Sequence, residues 1–125
     1  MDTDEHRLNE ITEKIIRCVY VVANTLGNGF LEKVYENALA HELRKSGFLV
    51  EQQKGIKVRY DGVVVGDYMV ALLVQNEVLV ELKAVKSLDN IHVAQCLNYL
   101  KATKFKVCLL LNFGTPRVQI RRLVH

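Results

Sequence analysis

The sequence predicts an α/β fold in which a mixed central β-sheet is flanked by helices. Apolar residues recur at three- and four-residue spacing before residue 46 and again after residue 89, as on one buried helix face. Elsewhere, runs rich in Val, Ile and Leu are bounded by Gly, Asn and Asp, which is typical of strands joined by turns. The predicted order is α-α-β-β-β-β-α-β-β, in a single domain over residues 1–125.

Two helices open the chain. We expect the first from about Leu8 to Leu26, where an apolar stripe ends at the reversal Gly27-Asn28-Gly29. The second is expected from about Leu31 to Ser46. Glu32 lies in its first turn, where the helix dipole favours a carboxylate, so Glu32 also has a purely structural interpretation.

Strands are predicted next. Phe48–Gln52 and Ile56–Tyr60 are expected to be short strands, and Asp61-Gly62 is a strong hairpin turn. The apolar stretch Val63–Val85 is interpreted as two strands joined at Gln75-Asn76-Glu77.

One helix and two strands complete the predicted order. A third helix is expected from about Asn90 to Thr103, with Asp89 available as its N-cap. Lys104–Asn112 is an apolar strand suited to a sheet interior, and Arg117–Val124 is a final strand.

Composition restricts the class of protein only broadly. Half of the residues are hydrophobic, a quarter are charged and the formal net charge is +3, which permits a polyanionic partner without arguing for one. Three cysteines without a CxxC pair (Cys18, Cys96 and Cys108) indicate buried, reduced thiols. No apolar run approaches the ~18 residues of a membrane span and no signal-peptide core is present, so we expect a cytoplasmic protein.

A charged pair interrupts the apolar stretch. Because side chains alternate along a strand, Glu81 and Lys83 share one face. A three-residue turn would place Val74 opposite Val78 and Ala71 opposite Glu81. An acid and an amine are costly to bury without partners. Taken alone, the pair fits an edge strand with a solvated salt bridge as well as a functional site.

Four short sequence motifs indicate a relationship to a known protein family. They are GFLEKVYE at Gly29–Glu36, VELKAV at Val80–Val85, QCLNY at Gln95–Tyr99 and LLLNFG at Leu109–Gly114. Together they resemble the GxxExxY protein family, a bacterial and archaeal group within the PD-(D/E)XK nuclease-like superfamily. The resemblance covers about Ile11–Val124, and the order and spacing of the motifs make it specific.

The resemblance implies a restriction-endonuclease-like core and hydrolysis of DNA or RNA phosphodiesters. In such nucleases carboxylates hold Mg²⁺, which polarises the phosphate and activates water, and a lysine stabilises charge. By this resemblance Glu32 is the helix glutamate and Glu81 a strand glutamate, both ligands of Mg²⁺ or Mn²⁺. Lys83 is the catalytic lysine, and Gln95 with Tyr99 forms the pair on the following helix.

One strand departs from the family pattern G-x-Y-R-x-D-x-x-V. This chain has GDYMVALLV there, so Ala71 stands at the aspartate position and Met69 at the arginine position. Alanine offers no ligand atom, and the two glutamates alone make a poor Mg²⁺ site. Asp67 lies on the same face but ~13 Å away at strand rise, so it substitutes only if the strand is bulged.

Three explanations of Ala71 remain open: natural loss of activity, an engineered replacement, or a neighbouring acid that took over the metal. The accompanying change at Met69 favours natural divergence. Three functional hypotheses follow. The chain is a metal-dependent nuclease, an inactive module that binds nucleic acid or a protein partner, or a structural fold. In the last case Glu81 and Lys83 form an ion pair within a hydrogen-bond network.

Basic side chains near the motifs are candidate contacts to nucleic-acid phosphates, and a solvated basic face is the alternative. The candidates are Lys83, Lys86, Lys101, Lys104, Arg121 and Arg122.

Overall fold

The computed structural model describes residues 3–125 and has the predicted α/β architecture. The elements are α1 (Thr3–Leu26), α2 (Glu32–Lys45), β1 (Val50–Tyr60), β2 (Val63–Val74), β3 (Val78–Lys83), α3 (Asn90–Ala102), β4 (Val107–Asn112) and β5 (Gln119–Val124). The strands form one sheet in the order β1-β2-β3-β4-β5. Only β3 and β4 are parallel, and α3 provides the crossover between them. The prediction of a mixed sheet flanked by helices is confirmed.

The first two predicted strands are one strand, so the predicted element order is wrong by one element. Lys54 and Gly55, which were expected to separate them, pair with β2. A glycine carries the same backbone donor and acceptor as any residue, so it continues the ladder along a long partner strand. Gln53, with φ at 55°, has no pairing partner on β2 in the described part of the chain, and the register of the hairpin also shifts between Val58 and Arg59.

Both predicted hairpin turns are confirmed. Asp61 and Gly62 have positive φ angles of 53° and 76°, as a two-residue turn between twisted strands requires. At the second turn Val74 pairs with Val78, which is the predicted register.

The sheet separates two hydrophobic clusters. Helices α1 and α2 cover one face and α3 covers the other. Cys18, Cys96 and Cys108 are buried free thiols, as predicted. Within residues 3–125 no helix is long and apolar enough to cross a bilayer.

The sheet divides where β2 leaves β3. Pairing between these strands ends at Leu72 and Val80, whereas β1 and β2 remain paired as far as Tyr60 and Val63. β3 continues instead beside β4, with Glu81 next to Leu110. The β1–β2 hairpin therefore diverges from β3, and we call the opening between Ala71 and Glu81 the fork. The ladder ends one pair before the predicted Ala71–Glu81 pair.

Candidate active site at the fork

Glu81 is the central residue of the fork, and its side chain is buried. Only 6% of the residue is exposed. Burial raises the pKa of the Glu81 carboxyl to about 7, since a charged group loses its hydration there. Lys83 and hydrogen bonds from the backbone N–H groups of Leu82 and Ala71 oppose this rise in pKa. The carboxyl therefore titrates near neutrality, where a carboxyl in water is fully ionised.

Tyr99 extends from α3 to the buried carboxyl. Burial raises the pKa of the Tyr99 hydroxyl strongly, and the Glu81 charge and a hydrogen bond between the two groups raise it further. Cys96 and Cys108 lie near Tyr99, and hydrogen bonding between their thiols together with burial raises the pKa of Cys108. The structure thus brings Tyr99 to Glu81 from an element 18 residues away in sequence.

The other residues implied by the resemblance lie around this pair at greater distance. Glu32 is exposed at the first residue of α2, and its charge contributes to raising the pKa of Glu81. Lys83 is partly buried, and its charge lowers the pKa of Glu81. In the described part of the chain the two side chains are nevertheless too far apart to form an ion pair. Gln95 faces a groove beside α3 and forms no hydrogen bond with Glu81 in the described part of the chain. Of the network in the structural hypothesis, the Tyr99–Glu81 hydrogen bond is present, whereas the Glu81–Lys83 ion pair is not formed among the described residues.

Tyr35 and Phe113 explain how α2 comes to lie near the end of β3. The Tyr35 hydroxyl donates to the Gly27 carbonyl at 2.6 Å and accepts from the Phe30 amide at 3.2 Å. The Tyr35 ring stacks on Phe113 with centroids 4.6 Å apart. The Phe113 amide in turn donates to the Lys83 carbonyl at 2.9 Å. The first and last motifs thus act together to place Glu32 beside the fork.

Asn112 has a structural role that sequence reasoning did not assign, although it lies within the LLLNFG motif. Its buried amide donates to the carbonyl of Val85 and to the side chain of Gln119, and its oxygen accepts from the amides of Val85 and Gly114. A Cβ at Gly114 would collide with the Val85 backbone. These contacts fix the chain just after β3.

Glu36 is a second buried carboxylate that sequence reasoning left without a role. It accepts hydrogen bonds from Lys33 Nζ at 2.9 Å, Gln52 Nε2 at 2.7 Å and Gln53 Nε2 at 2.7 Å. Gln53 lies between the Gln52–Leu72 and Lys54–Val70 pairs, and so stands beside Ala71. The available signal was the second glutamate of the GxxExxYE motif, four residues after Glu32 and on the same helix face.

The donor set at the fork does not fit a Mg²⁺ ion. Within residues 3–125, no three His, Cys, Asp or Glu side chains are grouped so as to hold a metal ion. The Ala71 side chain offers no ligand atom, and the Ala71 amide hydrogen-bonds to Glu81. Asp67 pairs with Lys57 at 3.3 Å on the exposed hairpin. The bulge of that hairpin falls between Val58 and Arg59, which is farther from the fork than Asp67. The bulge therefore does not bring Asp67 to Glu81.

Comparisons with known proteins agree with this architecture. A family model described as the PD-(D/E)XK nuclease superfamily matches residues 9–123. The fold is similar to the crystal structure of SSO0001, with a TM-score of 0.54 and 18% identity over 94% of this chain. This chain covers 59% of that protein, and at such identity the likeness concerns the fold alone. No match was found among curated proteins.

Proposed function

The chain belongs to the PD-(D/E)XK nuclease superfamily, and we propose that it is a nucleic-acid-binding module that has lost metal-dependent hydrolysis. One observation carries this proposal: Ala71 occupies the fork beside a buried Glu81 whose carboxyl hydrogen-bonds to the Ala71 backbone. We also propose that residues 1–125 form one nuclease-fold domain. Because of its four motifs, we propose that the chain is a member of the GxxExxY group.

Loss of hydrolysis follows from the chemistry of the remaining acids. Mg²⁺ prefers octahedral oxygen ligands and is usually held by one or two well-placed carboxylates together with waters. A carboxyl must be deprotonated to bind a metal, and the pKa of Glu81 is raised to about 7, so proton and metal compete at neutral pH. Among the described residues, Glu32 is the acid whose charge acts on Glu81, and it is exposed to water.

Retention of nucleic-acid binding is supported by the superfamily and by a cation at the fork. Lys83 lies at the fork without an ion-pair partner in the described residues, so its charge is available to a phosphate. Binding through phosphates requires cations but no metal ligands, so it survives the loss of an aspartate.

The test is a combined cleavage and retention assay on labelled single- and double-stranded DNA and RNA, with Mg²⁺ and with Mn²⁺. We expect the chain to retain nucleic acid in a salt-sensitive manner without cutting it. Ala71→Asp supplies the missing carboxylate, so we expect this variant to bind Mn²⁺ or Mg²⁺ in calorimetry. A metal at 100 times its Kd should then stabilise the variant by about 2.7 kcal/mol.

Met69→Asp is the matched control, because it adds the same charge two residues away on an exposed position of β2. We expect no metal binding to this variant. Cleavage by the unmodified chain that disappears in Glu81→Ala would contradict the proposal, since another acid would then hold the metal. Failure to retain any nucleic acid would contradict it as well.

A further inference from the structure

A groove of about 930 Å³ separates the diverging hairpin from α3. We call it the hairpin groove. Val58, Arg59 and Tyr68 line its hairpin side, and Gln95 and Lys101 lie on its α3 side. Tyr99 also lines it, so the groove and the fork share one residue. Its volume is in the range of sites that enclose small organic ligands.

The charges that line the hairpin groove are positive. Lys57 is paired with Asp67, and His92 accepts the Asp89 amide at 3.2 Å as part of the α3 cap. Arg59 and Lys101 are exposed, and neither forms an ion pair or a side-chain hydrogen bond within residues 3–125. Two uncompensated cations facing one groove favour a ligand that carries several negative charges.

The groove also presents an aromatic surface. Tyr68 is 47% exposed, and its ring lies 6.0 Å from that of Tyr99 at an angle of 56°, so Tyr99 does not stack over its face. Ile91 on the opposite wall is 71% exposed and adds apolar surface. An exposed aromatic ring beside free cations is the combination that binds single-stranded nucleic acids, because bases stack while phosphates meet the cations.

We propose that the hairpin groove binds a single-stranded nucleic acid, with a base stacked on Tyr68 and phosphates at Arg59 and Lys101. This inference rests on the proposed function and specifies its ligand class. Bases within a duplex already stack on one another, so only an unpaired base offers a face to Tyr68. The side-chain amide of Gln95 lies in the same groove, where it can hydrogen-bond to a base edge.

The test compares binding of an oligothymidylate of about 15 nucleotides with binding of a duplex of equal length, by fluorescence anisotropy. We expect the single strand to bind more tightly. Tyr68→Leu should weaken single-strand binding by about fivefold or more, while Tyr68→Phe keeps the ring and the affinity. Tyr20→Leu is the matched control, since Tyr20 is also 47% exposed but lies on α1 across the sheet.

Salt dependence tests the cations separately. Arg59→Gln should lower the slope of log affinity against log salt concentration by about 0.7, the value for one phosphate contact on a single strand. Arg17→Gln removes an exposed charge from α1 and should leave the slope unchanged. Melting curves of each variant separate loss of binding from loss of folding.

The outcomes distinguish this inference from the proposed function. Single-strand binding that Tyr68→Leu and Arg59→Gln leave unchanged would overturn the hairpin groove as the site while the proposed function stands. Equal binding of the duplex would overturn the ligand class. Absence of all nucleic-acid binding would overturn the proposed function and this inference together.

Discussion

Two buried carboxylates lie on either side of β2, and their partners differ. Glu36 and Glu81 are exposed by only 4% and 6%. Glu36 accepts three side-chain hydrogen bonds, from one cation and two amides. Glu81 has backbone amides and the Tyr99 hydroxyl as partners, and burial raises its pKa to about 7.

Burial alone does not distinguish an acid that stabilises the fold from one that belongs to an inherited site, as we propose for Glu81. A carboxylate that serves folding is surrounded by donors that offset its lost hydration. Glu81 is buried without an ion-pair partner within the described residues, which costs stability at neutral pH. Such a cost is typical of groups placed for chemistry. We interpret Glu36 as a residue that stabilises the fold and Glu81 as part of the inherited site.

The largest expected effect is the loss of stability when Glu36 is replaced. Glu36→Ala leaves Gln52 and Gln53 without their acceptor, so the free energy of unfolding should fall by about 3 kcal/mol at pH 7. Urea unfolding measures this change. Glu42→Ala on the same helix removes a carboxylate paired with the exposed Lys45, and it should cost less than about 1 kcal/mol. Equal losses in the two variants would show that Glu36 has no special structural role.

The second expected effect is a gain in stability when Glu81 is replaced. Glu81 holds its proton up to about pH 7 in the folded chain, against an ordinary pKa of 4.5 when unfolded. The folded state therefore binds more protons between these values, and stability is lost as pH rises through that window. Glu81→Gln removes this loss, so at pH 8 it should be more stable than the unmodified chain by up to about 3 kcal/mol. Near pH 4 the two chains should differ little.

Glu77→Gln provides the control for this pH dependence. Arg7 lowers the pKa of Glu77 through hydrogen bonds and charge, so the stability that Glu77 contributes is present at neutral pH and lost on acidification. Replacing Glu77 should therefore destabilise the chain at pH 8, where replacing Glu81 stabilises it. Urea unfolding at several pH values measures both variants. A destabilised Glu81→Gln at pH 8 would contradict the assigned environment of Glu81.

The smallest expected effect concerns Lys33, the cation that pairs with Glu36. The Lys33 side chain is 59% exposed. Water therefore screens the ion pair, and Lys33→Gln should lower the free energy of unfolding by less than about 1 kcal/mol. Urea unfolding beside Glu36→Ala tests whether the two glutamine amides carry most of the stabilisation. A loss as large as that of Glu36→Ala would assign the role to the cation instead.

Much of the fold was predictable because its signals are local. The helix stripes, the Asp61-Gly62 turn and the register at Val74 depend on residues within a few positions of one another. The shared face of Glu81 and Lys83 follows from strand alternation alone. The break expected within β1 was wrong because strand continuity depends on the partner β2, which local composition does not describe.

Residue identities and their spacing were sufficient to predict the fold class and the superfamily. Which acids are buried, and what surrounds them, depends on the packing of elements that are distant in the sequence. The two glutamine partners of Glu36 lie 16 and 17 residues away, and Tyr99 reaches Glu81 from α3, which packs on the same face of the sheet. Hydration and hydrogen bonding depend on distances in space, so the environment of Glu81 arises only when α3 packs against the fork.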